Sequence, residues 1–344
     1  MPTLPPTPLQ GAKIGVQCLS MKRSFQVFLQ IVLIAGIFGF LFWNAATTVN
    51  PDGKNIFTIL YEQPKRWHFL AAAFLAQLFA VCLTIVRWYW LVRTLGLECS
   101  YREAFRLGFL GLMVTLAPLG GIGGDAVRAV LLAQKNPRHK SQAVASVIMD
   151  RILIGLFVMF LCCTFFIFLT GFAQRPEIVA KTYTHIVIVL TAVSLLGIAG
   201  TFLPFFVRGH FERLLEKIPL CGKLFGKLTQ SLLLYRNHKR CLLWSCLITV
   251  FVHLSLGISF YWIALGLFSP MVPGLSAANH IMLHNVANLT SMIPLAAGPY
   301  EWVSDQLYHM LTQSVGMGLI VALTYRLLMI CVTIAGMVYY YVSG

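Results

Sequence analysis

The sequence predicts an all-α polytopic membrane protein, with about six full transmembrane helices plus two re-entrant helical hairpins arranged as an inverted repeat. Three observations carry that prediction. Of 344 residues, 58% are hydrophobic and only 11% charged, with a mean hydropathy of +0.78; a soluble domain is usually about 25% charged. Six apolar runs are long enough to cross a bilayer, for which a helix needs ~20 residues. Two further apolar regions are broken in mid-run by Pro and Gly. The net charge of +15 would point to nucleic acid on a soluble domain. In so apolar a chain it is orientation signal and attraction to anionic headgroups instead, and no nucleic-acid partner is expected.

Residues 1–24, with Pro2, Pro5, Pro6 and Pro8, are expected to form a disordered cytoplasmic tail. Residues 25–344 are expected to form one integral membrane domain. The first run, 25–46, follows Met21-Lys22-Arg23 and is too long for a signal-peptide core, so it reads as a retained span. The other full runs are 67–92, 146–171, 183–207, 242–268 and 317–342. The broken regions, 104–134 and 279–315, dip in and return on the same side. With a cytoplasmic N-terminus, inside segments hold eighteen Lys and Arg and outside loops five, with Arg87, Arg151 and Arg326 inside spans. That bias sets the orientation: both termini are cytoplasmic, in the cell (plasma or inner) membrane. The 208–240 loop spaces Phe211, Leu214, Leu215 and Ile218, then Leu224, Phe225, Leu228 and Leu232, among basic residues. It reads as an amphipathic stretch lying on the inner leaflet, divided by Pro219.

The two broken regions resemble each other. The first reads Pro118-Leu-Gly-Gly-Ile-Gly-Gly-Asp125 and the second Pro294-Leu-Ala-Ala-Gly-Pro-Tyr-Glu301. Each is followed by an arginine within a span, Arg151 at 26 residues after Asp125 and Arg326 at 25 after Glu301. Three crossings separate them, so the second unit is inverted, as in transporters built from broken helices that meet near the midplane. Pro118, Gly120, Gly121, Gly123 and Gly124, with Pro294 and Gly298, are the expected hinges, and the second helix of the first hairpin is expected to begin near Asp125. Such a helix start aims free N–H groups and a positive dipole end at an anion. At ~1.5 Å per residue, Arg151 and Arg326 lie near mid-bilayer, where an arginine must be paired or hydrated. Asp125, Asp150 and Glu301 are the available partners. Two roles stay open for these arginines: pinning helices through buried ion pairs, or binding a phosphate headgroup along a pathway that also includes Arg128. Arg87, near the inner end of its span, reads as a snorkelling anchor. Trp88, Trp90 and Tyr339 to Tyr341 read as interfacial belts.

Other chemistry lacks its residues. The glycines before Asp125 are followed by no Lys-Ser/Thr, so they are no Walker loop, and no strand precedes them, so they are no dinucleotide fingerprint. No HExxH, DxD, DDxxD or GxSxG occurs. His280 and His284 share a helical face without an evident third ligand and read as packed neutral histidines. The nine cysteines show no CxxC and no metal spacing. No catalytic residue, metal, disulfide or cofactor is therefore expected.

Arg93-Thr-Leu-Gly96, Pro118 with GGIGGD and Arg128, then Ser146-Val-Ile-Met-Asp150-Arg151 together resemble the lysylphosphatidylglycerol synthase transmembrane-region family. Ile293-Pro294 with Gly298, Glu301 and Arg326 extends the resemblance over 25–342. The second motif departs from that family's more usual P-x-x-P-G-G-x-G-x-x-E. The resemblance implies a flippase-like module moving a phospholipid or polyprenyl-linked lipid between leaflets. It also implies no aminoacyltransferase activity, because the chain ends directly after its last helix. The alternatives are an integral membrane transferase with Asp125 or Glu301 as general base, and a non-catalytic partner of a separate lipid-modifying enzyme.

Overall fold

The computed structural model describes residues 31–50, 53–115, 120–202, 233–268, 275–293, 295 and 297–342. The expected tail, most of the 208–240 loop with Pro219, and the hinge prolines Pro118 and Pro294 lie outside them. Among the described residues every regular element is a helix. In order these are α1 (Ile31–Thr47), α2 (Ile56–Glu62), α3 (Trp67–Thr94), α4 (Tyr101–Thr115) and α5 (Gly120–Lys135). Next come α6 (Lys140–Ile148), continued through a π-helical segment (Met149–Leu156) into α7 (Phe157–Leu169), and α8 (Ile178–Phe202). The last four are α9 (Lys239–Leu267), α10 (Ala277–Asn288), α11 (Pro299–Thr312) and α12 (Met317–Val342).

Five described helical stretches are long and apolar enough to cross a membrane: α3, the α6–π–α7 rod, α8, α9 and α12. The first expected span is described only from Ile31, as the 17-residue apolar helix α1. These spans expose many large apolar side chains, such as Phe79, Phe165, Leu196, Leu243 and Leu327, which suits a lipid solvent and not water.

The α3 and α9 helices form an antiparallel pair at the centre of the molecule. Arg66 at one end donates its backbone N–H to Gly266, Ser259 bonds Ala73, and at the other end Thr94 meets Cys241. Each end of this pair carries a helical hairpin. α4 and α5 run antiparallel, with Glu103 bonded to Lys135 at the open end and Gly111 against Gly124 towards the tip. Their open end packs near Leu95 and Leu97 of the α3 C-terminus, in a core with Ala104 and Leu132. α10 and α11 also run antiparallel, with His280 near Tyr308 and His284 near Tyr300. Their open end lies towards the α9 C-terminus, and Gly257 of α9 packs on Ile281. The two antiparallel helix pairs thus pack towards opposite ends of the α3–α9 pair. Packing repeats the pattern, because α12 lies on α4 while α7 lies on α10.

Local chemistry differs from the sequence reading in the first hairpin and agrees with it in the second. Gly120 to Gly124 form the opening turns of α5 instead of an unwound hinge, so that helix begins five residues before Asp125. The physical reason is close packing: a Cβ on Gly124 would lie 2.2 Å from the Gly111 carbonyl oxygen, so glycine lets the two backbones touch. In the second hairpin the helix does break. A short 3-10 turn (Leu289–Met292) ends α10, and α11 restarts at Pro299 after Gly298, whose φ of 105° only glycine adopts easily.

Candidate functional site

A cavity of about 730 Å³ lies between the two hairpins. Thr115 and Asp125 line it from the first hairpin, Val147 and Arg151 from the α6–π rod, Ile293 and Tyr300 from the second hairpin, and Arg326 from α12. Its wall is otherwise mainly apolar. A polar end within an apolar slot suits an amphipathic ligand.

Arg151 is held at the mouth by Asp125, with Nε donating to Oδ2 at 2.7 Å. Arg128, three residues along α5, donates to the other carboxylate oxygen of Asp125. Its guanidinium lies over the Trp88 ring, 5.4 Å from the centroid, with Gly111 leaving room for its stem. One carboxylate thus serves two cations, and this corner keeps a net positive charge. The Arg151 side chain remains 48% exposed, which leaves it reachable by an anion in the cavity. The π segment carries Arg151 at its third residue, and such widened turns recur at functional sites.

Arg326 repeats the arrangement from the other side, with Nε donating to Glu301 Oε1 at 2.5 Å. Glu301 Oε2 accepts the Gly298 N–H at 2.8 Å, closing the α11 N-terminus. Glu301 is wholly buried and stands behind Arg326, not in the cavity wall. The acid and arginine of each sequence repeat, 26 and 25 residues apart, are thus bonded to each other.

Asp150 is placed elsewhere. Its carboxylate accepts Arg87 Nε at 2.7 Å, with both side chains almost fully buried. Arg87 also donates to the Thr249 hydroxyl at 2.6 Å and to the Asp150 carbonyl at 3.3 Å. Arg87 therefore does not snorkel; it ties α3, the π segment and α9 together. Trp88 likewise belongs to no interfacial belt, since it is fully buried under Arg128. The sequence held a signal for the Arg87–Asp150 pair: opposite charges within two apolar spans, each needing a partner there. Tyr300 gave none, because nothing in its neighbours marks an aromatic residue as cavity-lining. Among the described residues no group of three or more His, Cys, Asp or Glu is arranged to hold a metal ion.

Comparison with known proteins bears on this arrangement. The family model for the lysylphosphatidylglycerol synthase TM region matches residues 27–336. The chain belongs to that family. It is also similar to a UPF0104 membrane protein of Methanocaldococcus jannaschii, 26% identical over 165 residues, covering 45% of this chain and 48% of the relative. The match thus spans about half the length of that curated relative. No solved structure matches the chain. The lysylphosphatidylglycerol synthase TM-region assignment and the apolar helices make this an integral membrane protein of a lipid-related family.

Proposed function

We propose that the protein moves an anionic lipid between the leaflets of the cell membrane. The observation that carries this reading is the cavity between the two hairpins, whose apolar walls hold Arg151 and Arg326 close to Asp125 and Glu301. The phosphate of a phospholipid or polyprenyl-linked lipid exchanges for a carboxylate on Arg151, passes to Arg326, and leaves on the far side while its chains stay in the bilayer. Bidentate guanidinium–phosphate bonding suits that transfer. In a wall of low dielectric the net positive corner at Asp125 attracts the anion strongly.

The two hairpins are re-entrant under this reading, and the molecule is an inverted repeat with both termini in the cytoplasm. Supporting it are their packing towards opposite ends of the α3–α9 pair and the reciprocal packing of α12 on α4 and α7 on α10. At ~1.5 Å per residue, α4, α5, α10 and α11 are each too short for a ~30 Å hydrocarbon core.

The deciding experiment is lipid scrambling of a fluorescent anionic phospholipid in proteoliposomes. The R151Q variant should lose headgroup translocation while keeping its melting temperature within a few degrees. Unchanged translocation in that variant would overturn the site. Recovery of the lipid in a new chemical form would favour a transferase, with Asp125 as base, over a transporter.

A further inference from the structure

Behind Tyr300 lies a second polar system that the lipid cavity does not use. His253 of α9 and His280, His284 and Asn285 of α10 are all buried, in the heart of the larger apolar core. Among the described residues, His280 Nε2, His284 Nε2 and the Tyr308 hydroxyl are buried without a hydrogen-bond partner. A native core leaves few such atoms, and several together call for bridging water.

The atoms form a file. Ser276, exposed at the start of α10, accepts on its carbonyl from His280 Nδ1 at 2.9 Å. That bond fixes the proton of neutral His280 on Nδ1 and leaves Nε2 as an acceptor, with the Tyr308 ring 5.6 Å away. His284 is one helical turn further along the same face. Its Nδ1 is 2.9 Å from the Tyr300 hydroxyl, and Tyr300 lines the cavity beside Arg326. His253, from the facing helix, stands against Asn285 and the Gly155 backbone of the π segment.

We infer that His280, His284 and Tyr300, with Tyr308 and His253 beside them, form a water-threaded proton relay from the open end of the second hairpin to the lipid cavity. The inference rests on the transport reading, and adds to it that lipid movement is coupled to proton movement. Water carries the proton past His280, whose Nδ1 stays on the Ser276 carbonyl and whose Nε2 only accepts from that water. His284 then takes the proton on Nε2 and releases one from Nδ1 to the Tyr300 hydroxyl oxygen, which gives up its own. A single proton passes and nothing is oxidised. The proton arrives through the Tyr300 hydroxyl at the Glu301–Arg326 pair, where it neutralises Glu301 and loosens Arg326 for the phosphate. Histidine chains of this kind within spans mark proton pathways. The titratable groups around the file are Tyr261 and Tyr308 at His280, and Tyr300 and Tyr325 at His284. At His253 they are His284 and, through charge alone, Arg87.

Two measurements on the full chain in vesicles test it. The first is deuterium exchange at histidine Cε1, read by mass spectrometry, with exposed His185 and His238 as references. Exchange at His280 and His284 comparable to the references is expected; its absence, the mark of a dry core, overturns the relay. The second is scrambling of the fluorescent anionic phospholipid under an imposed pH gradient of either sign. The wild-type rate should depend on the gradient, and H284Q should scramble at a rate that ignores it. H280Q serves as second variant if H284Q fails to fold. A gradient response retained in the folded variant, or missing in a wild-type protein that scrambles, overturns the coupling. No scrambling by the wild type defeats the transport reading and its coupling, while the exchange measurement still decides whether a hydrated file exists.

Discussion

Asp150 and Arg151 are adjacent in the chain but do different work. The Asp150 carboxylate is buried against Arg87, whereas Arg151 faces the cavity. Removing one member of a buried pair leaves the other charge without compensation, which costs about 3–5 kcal/mol. D150N should therefore lower the free energy of unfolding in detergent by that amount, far more than R151Q, whose partner Asp125 keeps Arg128. Equal destabilisation by the two variants would contradict the separation of roles. At the open end of the first hairpin, the Lys135 ammonium and then the Ser100 N–H hold the Glu103 carboxyl below its ordinary value of 4.5. A depressed folded value means stability that is complete above the ordinary value and lost as pH falls from there through the depressed one. The melting temperature should thus drop on acidification through this range by less in E103Q than in wild type. The difference stays small, about 0.2–1 kcal/mol, because the pair is exposed and screened.

At the scale of elements, glycine decides how closely helices approach. Gly124 meets the Gly111 carbonyl, and Gly318 of α12 meets the Ser304 carbonyl of α11, each leaving no room for a Cβ. G124A should separate α4 from α5 and destabilise the protein by roughly 1–3 kcal/mol. It should also displace Asp125, one residue on, and slow scrambling more than its stability loss explains. A protein with wild-type melting and transport would refute this contact. Asp305 anchors the other hairpin to α12, accepting the N–H groups of Gly316 at 2.9 Å and Leu319 at 3.2 Å. A carboxylate at a helix start both satisfies free donors and opposes the dipole.

For the whole molecule the sharpest prediction is topological. With the nine cysteines replaced, R138C, in the exposed turn after α5, should react with an impermeant maleimide only from the cytoplasm. Q313C, just after α11, should react only from outside. Labelling of both variants from one side would break the inverted arrangement, and with it the route from Arg151 to Arg326.

The membrane class, five of the six expected spans and the acid–arginine spacing were legible in the sequence because they are local or periodic. Apolar runs follow from the bilayer's thickness, and Asp125…Arg151 and Glu301…Arg326 repeat at nearly one interval. The lysylphosphatidylglycerol synthase TM-region family was legible for the same reason, from Pro118 to Asp125 and from Ser146 to Arg151. Tertiary structure alone decided which acid meets which arginine. Asp150 lies beside Arg151 in sequence, yet successive side chains of a helix point in different directions, and Asp150 turns towards α3, where Arg87 waits. It also decided that Gly120 to Gly124 are helical, since nothing in a glycine run reveals that another backbone will press against it. The histidine file has the same origin. His280 and His284 share a face by spacing, but only the packing of α9, α11 and α12 surrounds them with tyrosines and excludes other partners. Local pattern sets which segments are apolar and where they break, whereas contact between distant segments sets which polar groups are paired.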